Sequence, residues 1–476
     1  MVNGGGKGTN QRREPMWMAK LRALLEDEGM RRRGTKETFE HFEERLHQEL
    51  QEVERELLKE DLTRADVDVP MIEVRGTTFR RVLRAEETYM TAAGPVKVMR
   101  TLYKDRTDDR ERAIVPMELN TGIVGGFWTP LAARQGAWVV SQMTPQTGEE
   151  LFKRVGNMTP SKSSLDRLPK VLAQHWNDDK RVFEQALRDA MQVPPAAVTV
   201  MASLDGVMAP MKDGQGTDKR AETASRGQLT RGPAGYQEVG CATLSFYDKA
   251  GGLLAAVRTA RMPEPHKKSL KTVLKAELDA ALAQRPDLRL VKAADGANDN
   301  WTYLHDALPP GEEVVDFFHA AEHLNKAVAA AYGDGTVEAR RRFADLRHVL
   351  REDPDGVGKV IRSLARLKAK HPRSSTIATE LAYFRKRRKR MRYAELAEQG
   401  LPIGTGITEA ACKTLVSQRM KQSGMRWGHE GGQAILNLRG WAQSERFDHA
   451  WALLAATFQA QITVVNDVIS IQSATR

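Results

Sequence analysis

Two apolar runs that each end in Asp-Gly constrain this chain more than any other feature. AVTVMASLDGV carries Asp205, and LRLVKAADGA carries Asp295. Between them EVGCATLSFYD and LLAAVRTARM read as a hairpin turned at Lys249-Ala250-Gly251-Gly252. An amphipathic helix follows over about 267–284, with Leu270, Val273, Leu274, Leu278 and Leu282 on one face. After Asp295 come a short helix carrying Trp301, Tyr303 and Leu304, and a further strand, EEVVDFF. Strand, strand, strand, helix, strand, helix, strand is the order of a mixed α/β layer, an antiparallel hairpin joined to parallel strands.

A carboxylate at the C-terminal end of a strand faces the crevice where open α/β sheets bind ligands. Two such groups side by side repel unless a cation neutralises them. Mg²⁺ suits that position, because it takes oxygen ligands and keeps waters for substrate phosphates. Taken alone, the pair is better explained as two turn aspartates, which are common at strand ends. A third segment, LPIGTGITEAACKTLVSQRMKQSGMRW over 401–427, changes the balance. Thr408 is expected to cap a helix with Glu409 in its first turn. Lys413 lies one turn on, and Arg419, Lys421 and Arg426 follow. One carboxylate near a helix start, with cations further along, suits a surface that grips both metal and DNA phosphate. Helix-dipole complementarity alone would also accommodate Glu409.

SLDGV, KAADGANDNW, DFFHAAEHL and PIGTGITEAACKTLVSQRMKQSGMRW, in that order, resemble the DDE transposases of bacterial insertion sequences, most closely the ISKra-type family. The resemblance covers roughly 197–445. It implies an RNase H-like fold in which Asp205, Asp295 and Glu409 are the catalytic triad and the ligands of two Mg²⁺ ions, with Mn²⁺ as a substitute. It implies cleavage at transposon ends and strand transfer into target DNA by an oligomer, in a bacterial cytoplasm and associated with the nucleoid. Where relatives carry a Cys-rich motif this chain reads LYKDRTDDRER, which removes the ground for a metal-held DNA contact there. Two alternatives stay open: an inactive relative that only holds DNA, and an RNase H-like nuclease that does not transpose.

The remaining sequence is organised around that core. Of 476 residues, 41% are hydrophobic and 28% charged, so the chain is globular, and a net charge of +11 favours a polyanionic partner. Only Cys241 and Cys412 are present, too few for a disulfide framework or a zinc ribbon, which fits a reducing cytoplasm. No apolar run approaches the ~18 residues of a membrane span. Residues 1–65 read as a basic tail and charged helices. Residues 66–195 form an α+β DNA-binding region: a hairpin turned at Ala92-Ala93-Gly94-Pro95, then helices. There the helix 147–155, the Gly156-Asn157 turn and a second helix capped by Thr159 resemble a helix-turn-helix, with Lys162 and Arg167 toward double-stranded DNA. Residues 196–318 and 401–445 make up the nuclease core, 319–400 a helical insertion and 446–476 a C-terminal helix.

Other motifs compete with this reading. His319-Ala320-Ala321-Glu322-His323 matches an H-x-x-E-H zinc-peptidase pattern, but three fixed positions arise easily by chance. In the transposase reading His319 and His323 pack near the active edge, and Asp316 sits beside the metals as a supporting group. RKRRKRMR contributes Arg385, Lys386, Arg387 and Arg388 as phosphate contacts. Tyr383, Phe384, Tyr393 and Trp427 are either base-stacking platforms or core residues. Lys219, Arg220, Arg226 and Arg231 lie in a Gly-rich stretch read as a loop that orders on DNA.

Overall fold

The computed structural model describes residues 15–27, 37–105, 113–212, 221–227, 235–296 and 298–465. The expected DNA-ordered loop thus lies mostly outside the described residues. The chain divides into two units, Met1–Asp178 with Trp451–Arg476, and Asp179–Ala450.

In the first unit, helices Met16–Glu26 and Phe39–Arg64 precede three strands, β1 (Met71–Val74), β2 (Thr77–Thr91) and β3 (Gly94–Asp105). β1 and β2 are separated at Arg75 (φ 51°) and Gly76 (φ +81°). Two consecutive left-handed residues make the tight turn that suits right-twisted strands. The β2–β3 turn falls at Ala92-Ala93, as expected, with Thr91 paired to Gly94. Helices Pro145–Val155 and Lys162–Asp178 flank Gly156, which is left-handed and ends the first of them. The cap of the second is Ser161, whose hydroxyl accepts from Ser164 N at 3.2 Å, and not Thr159. Pro160 therefore precedes the helix. Pro169 sits inside that helix and is buried.

The second unit is built on β4 (Thr199–Pro210), β5 (Tyr236–Tyr247), β6 (Leu253–Arg261), β7 (Arg289–Ala294) and β8 (Glu312–Val315). They form one sheet in the order β6-β5-β4-β7-β8. The first three pair antiparallel, while β7 and β8 run parallel to β4. This mixed sheet is consistent with an RNase H-like core. The helix Lys268–Gln284 crosses from β6 to β7 and buries Leu270, Leu274 and Leu278. At the β5–β6 turn the Asp248 carboxylate accepts from Ala250 N and Gly252 N, leaving Gly251 left-handed (φ +80°).

The strand expected at EEVVDFF stops at Val315. Asp316 caps a helix, Phe317–Tyr332, because its carboxylate accepts from His319 N at 2.6 Å. Helices Val337–Glu352, Gly356–Lys370 and Ser375–Arg387 follow. Their buried residues, among them Leu350, Val360, Leu364 and Phe384, join Val200, Leu204, Val291 and Val314 in one hydrophobic core. Helices His429–Gln443 and Phe447–Thr457 lead to β9 (Ile462–Val464), which pairs antiparallel with β1. The C-terminal region expected as a helix thus also supplies a strand to the first unit's sheet, in the order β3-β2-β1-β9. No described helix is long and apolar enough to cross a membrane.

Candidate active site

Asp205, expected at a strand end, lies inside β4. The reason is that β5 pairs with β4 along its whole length, from Thr199↔Tyr247 to Pro210↔Tyr236. The parallel pairing with β7 stops earlier, at Ser203↔Ala293. The sheet therefore opens on one side of β4 two residues before Asp205. Asp295 follows β7 directly and stands two residues beyond the same pair. The two aspartates thus occupy matching register positions on neighbouring parallel strands, whose backbones run about 4.8 Å apart where they pair.

Asp205 is half-buried. Its Oδ1 accepts from Gly206 N at 2.7 Å, and its Oδ2 lies 3.8 Å from Cys412 Sγ. Burial raises its pKa, with further increments from the charges of Asp295 and Glu238. The Gly206 N–H and Lys267 oppose the rise. The Lys267 ammonium is itself bonded to Glu238 at 2.9 Å.

Around Asp295 the loop is held from several sides. Its carbonyl accepts from Trp301 Nε1 at 2.6 Å, and Asn300 Nδ2 lies 3.4 Å from its Oδ1. Arg387 donates to the carbonyl of Gly296, and its guanidinium lies 4.6 Å from the centre of the Tyr383 ring. The ring packs so close to Gly296 that a Cβ there would fall 2.9 Å from Tyr383 Cε2, which accounts for the glycine.

Glu409 lies in the first turn of a short helix, Gly406–Ala411, as expected, but the cap differs. Thr405 caps the helix, and its carbonyl accepts from Thr408 N (2.8 Å) and Glu409 N (3.0 Å). Thr408 is buried, and its hydroxyl shares a 2.7 Å hydrogen bond with Thr243 on β5. Glu409 stands on the exposed side, yet enough protein surrounds it to penalise its charge. Its pKa is raised by that desolvation, then by Asp316, Asp205 and Glu322, against a lowering by His319. A π-helical turn, Cys412–Ser417, continues the helix. Such bulges recur at functional sites. Among the described residues no three His, Cys, Asp or Glu side chains converge tightly enough to hold a metal ion between them. Asp205 nonetheless feels Asp295, and Glu409 feels Asp205.

Asp316 is 1% exposed and fully engaged. Besides capping its helix, it accepts from Thr405 N (2.5 Å) and Thr405 Oγ1 (2.9 Å) through Oδ2. The histidines do not form a peptidase site. His323 Nδ1 bonds the buried Glu380 at 2.5 Å, its Nε2 faces His319 Nε2 at 3.1 Å, and its ring stacks on Tyr383 at 3.7 Å. Glu322 is exposed. With Glu380 accepting from Nδ1, neutral His323 offers Nε2 as an acceptor and His319 donates. Burial lowers the pKa of His323, against the pull of Glu380.

The basic residues expected on DNA divide into two sets. Lys162, Arg167, Arg385, Lys386, Arg388, Lys413, Lys421 and Arg426 are exposed. Lys386 reaches Asn298 Oδ1 at 3.3 Å. Arg387 instead braces the Asp295 loop. Arg419, 2% exposed, lies over the Trp427 ring at 5.0 Å and does not face solvent. Trp427 donates from Nε1 to the Met420 carbonyl, and its backbone pairs with the end of β4 at Pro210 and Lys212. Tyr383, Phe384 and Tyr393 are buried, so their role is packing and not base stacking.

Sequence reasoning missed Thr405, Thr243, Glu380 and the two cysteines as neighbours of the site. Cys241 is the β5 partner of Asp205, and Cys412 lies three residues after Glu409. Hairpin register and helical spacing would have brought both to the same place.

No family model and no curated protein matches this sequence. Neither comparison therefore returns the ISKra-type family that the motifs resemble. Among solved structures, the Drosophila P element transposase strand transfer complex is similar at 13% identity, over 70% of this chain and 84% of that chain, with a TM-score of 0.26. A likeness of that degree adds nothing to what the sheet and its carboxylates say themselves.

Proposed function

We propose that this chain is a DDE-class DNA transposase, a polynucleotidyl transferase that cleaves phosphodiesters at the ends of an element and joins the freed strand to target DNA. The observation that carries the reading is the placement of Asp205 and Asp295 at matching register positions on neighbouring parallel strands. The ordered sequence motifs around all three support it.

The donor set fits a hard divalent cation. All three groups are carboxylates, and burial together with neighbouring negative charge raises the pKa of Asp205 and Glu409. Their desolvation and mutual repulsion are what a bound cation relieves. Asp205, Asp295 and Glu409 would hold Mg²⁺, which when bound supplies activation of the attacking oxygen and neutralisation of the leaving one. The chain's own contribution is placement. β4 and β7 fix the two aspartates, and Thr405 and Thr408 orient the turn that carries Glu409. Arg385, Arg388, Lys413, Lys421 and Arg426 supply exposed positive charge for phosphate in the second unit, and Lys162 and Arg167 do so in the first.

The test is strand cleavage of DNA carrying the element's ends. Asp205→Asn, Asp295→Asn and Glu409→Gln are each expected to abolish Mg²⁺-dependent cutting while DNA binding persists. Cutting by all three variants would refute the assignment.

A further inference from the structure

We propose that Asp316 is a positioning residue that locks the Glu409 turn to the Asp295 strand, and is not itself a metal ligand. The inference rests on the reading of Glu409 as a ligand.

Protein donors take three of the side chain's roughly four acceptor sites. Oδ2 accepts two hydrogen bonds, from Thr405 N and Thr405 Oγ1. Oδ1 accepts from His319 N. The residue is 1% exposed, so these donors stand in for water. What these bonds do follows from the segments they join. Asp316 N donates to the carbonyl of Ala294 at 3.1 Å, the residue just before Asp295. Phe317 N donates to the carbonyl of Ile403 at 3.0 Å. Thr405 receives the Asp316 clamp on one side, and its carbonyl accepts the N–H of Glu409 on the other. One residue thus connects three segments: its backbone N–H holds the end of β7, and its carboxylate joins the start of the Phe317–Tyr332 helix to the first turn of the Glu409 helix.

The first turn of a helix has backbone N–H groups with no intrahelical partner and no preceding turn to hold it, so its orientation depends on such anchors. The second anchor, Thr408 to Thr243, ties the same turn to β5. With both intact, the exposed Glu409 side chain retains only its own rotamers as freedom. Asparagine cannot replace the aspartate, because its single carbonyl oxygen can serve the Oδ1 donor or the Oδ2 donors, not both.

The experiment uses the full chain and two readouts. The first is Mn²⁺ affinity, measured by the electron paramagnetic resonance of free Mn²⁺. The second is amide hydrogen exchange of peptides covering 401–412 without metal. Asp316→Asn is expected to weaken Mn²⁺ binding about tenfold, the equivalent of one charge-assisted hydrogen bond, and to speed exchange in that peptide. Thr405→Val, the milder variant should Asp316→Asn fail to fold, is expected to weaken binding about fivefold with the same local exchange effect. Thr405→Ser restores both readouts. Val360→Ala, in the core of the same unit, lowers the melting temperature and moves neither. Wild-type affinity and exchange in folded Asp316→Asn and Thr405→Val would overturn the inference. If the wild-type chain binds no Mn²⁺, the functional reading fails separately, and exchange alone decides whether Asp316 fixes the turn.

Discussion

Arg387→Met separates the two jobs that a dense basic run can do. In the structure Arg387 donates to the Gly296 carbonyl and lies over the Tyr383 ring at 4.6 Å. Methionine keeps much of the stem's packing and removes both interactions. A hydrogen bond from a charged donor contributes about 1.5–3 kcal/mol. A partly exposed cation–π contact adds about 0.5–1 kcal/mol. Arg387 is only half-buried, so the low end of each range applies, and the expected loss is about 2 kcal/mol. For a unit of this size that corresponds to a fall of roughly 3–4 °C in melting temperature. The loop carrying Asp295 should loosen with it, so Mn²⁺ affinity should drop while DNA affinity at fixed salt changes little. Arg385→Met and Arg388→Met should behave oppositely, with unchanged melting and a DNA-binding salt slope smaller by about one for each phosphate no longer neutralised. Calorimetry and fluorescence anisotropy across a salt series measure both. If Arg387→Met melts like wild type and loses DNA affinity as Arg385→Met does, the assignment of Arg387 to the loop is wrong.

Three further outcomes are expected. A double-mutant cycle on Thr243→Val and Thr408→Val should show that each single change costs about 1–3 kcal/mol by stranding a buried hydroxyl, with the double variant closer to wild type than the sum of the singles; additive losses in urea denaturation would contradict the bond. His175 packs on Phe458 at 4.0 Å, bonds Thr457 at 3.0 Å, and has its pKa lowered from 6.5 chiefly by burial. A histidine that prefers to be neutral when folded costs stability once protons are available, so the first unit should lose stability as pH falls below 6.5. The loss should level off below the folded pKa and be absent in His175→Asn; equal pH profiles would exclude His175 as the source. EDTA should lower the melting temperature of the wild-type chain in Mg²⁺ and leave Asp205→Asn unmoved, because ligand binding stabilises only a chain that can bind. A matched drop in the variant would place the cation elsewhere.

The sheet was legible because its strands are apolar runs broken at glycine turns, and its crossover helix has a one-sided apolar face. The matching positions of Asp205 and Asp295 were also legible, since both end such runs. That β4 continues past Asp205 was not, because the extension depends on a partner strand, β5, that stays paired after β7 has stopped. EEVVDFF read as a strand because Phe317 and Phe318 prolong the apolar run, yet Asp316 ends it by capping the next helix. The roles of Arg387 and Arg419 were half-visible. Arg387 follows Tyr383 by one helical turn and so shares its inward face, whereas the burial of Arg419 depends on a loop that folds Trp427 back over it. The joining of the C-terminal strand to the first unit's sheet depends on three residues, Ile462–Val464, too few to carry a periodicity.

The most direct measurement is anomalous diffraction from crystals of the chain soaked in Mn²⁺. Metal is expected on Asp205, Asp295 and Glu409 together, with carboxylate oxygens at about 2.1 Å, as for Mg²⁺. Ordered crystals saturated with Mn²⁺ but showing no peak at those carboxylates, or a peak that Glu409 does not reach, would contradict a shared site.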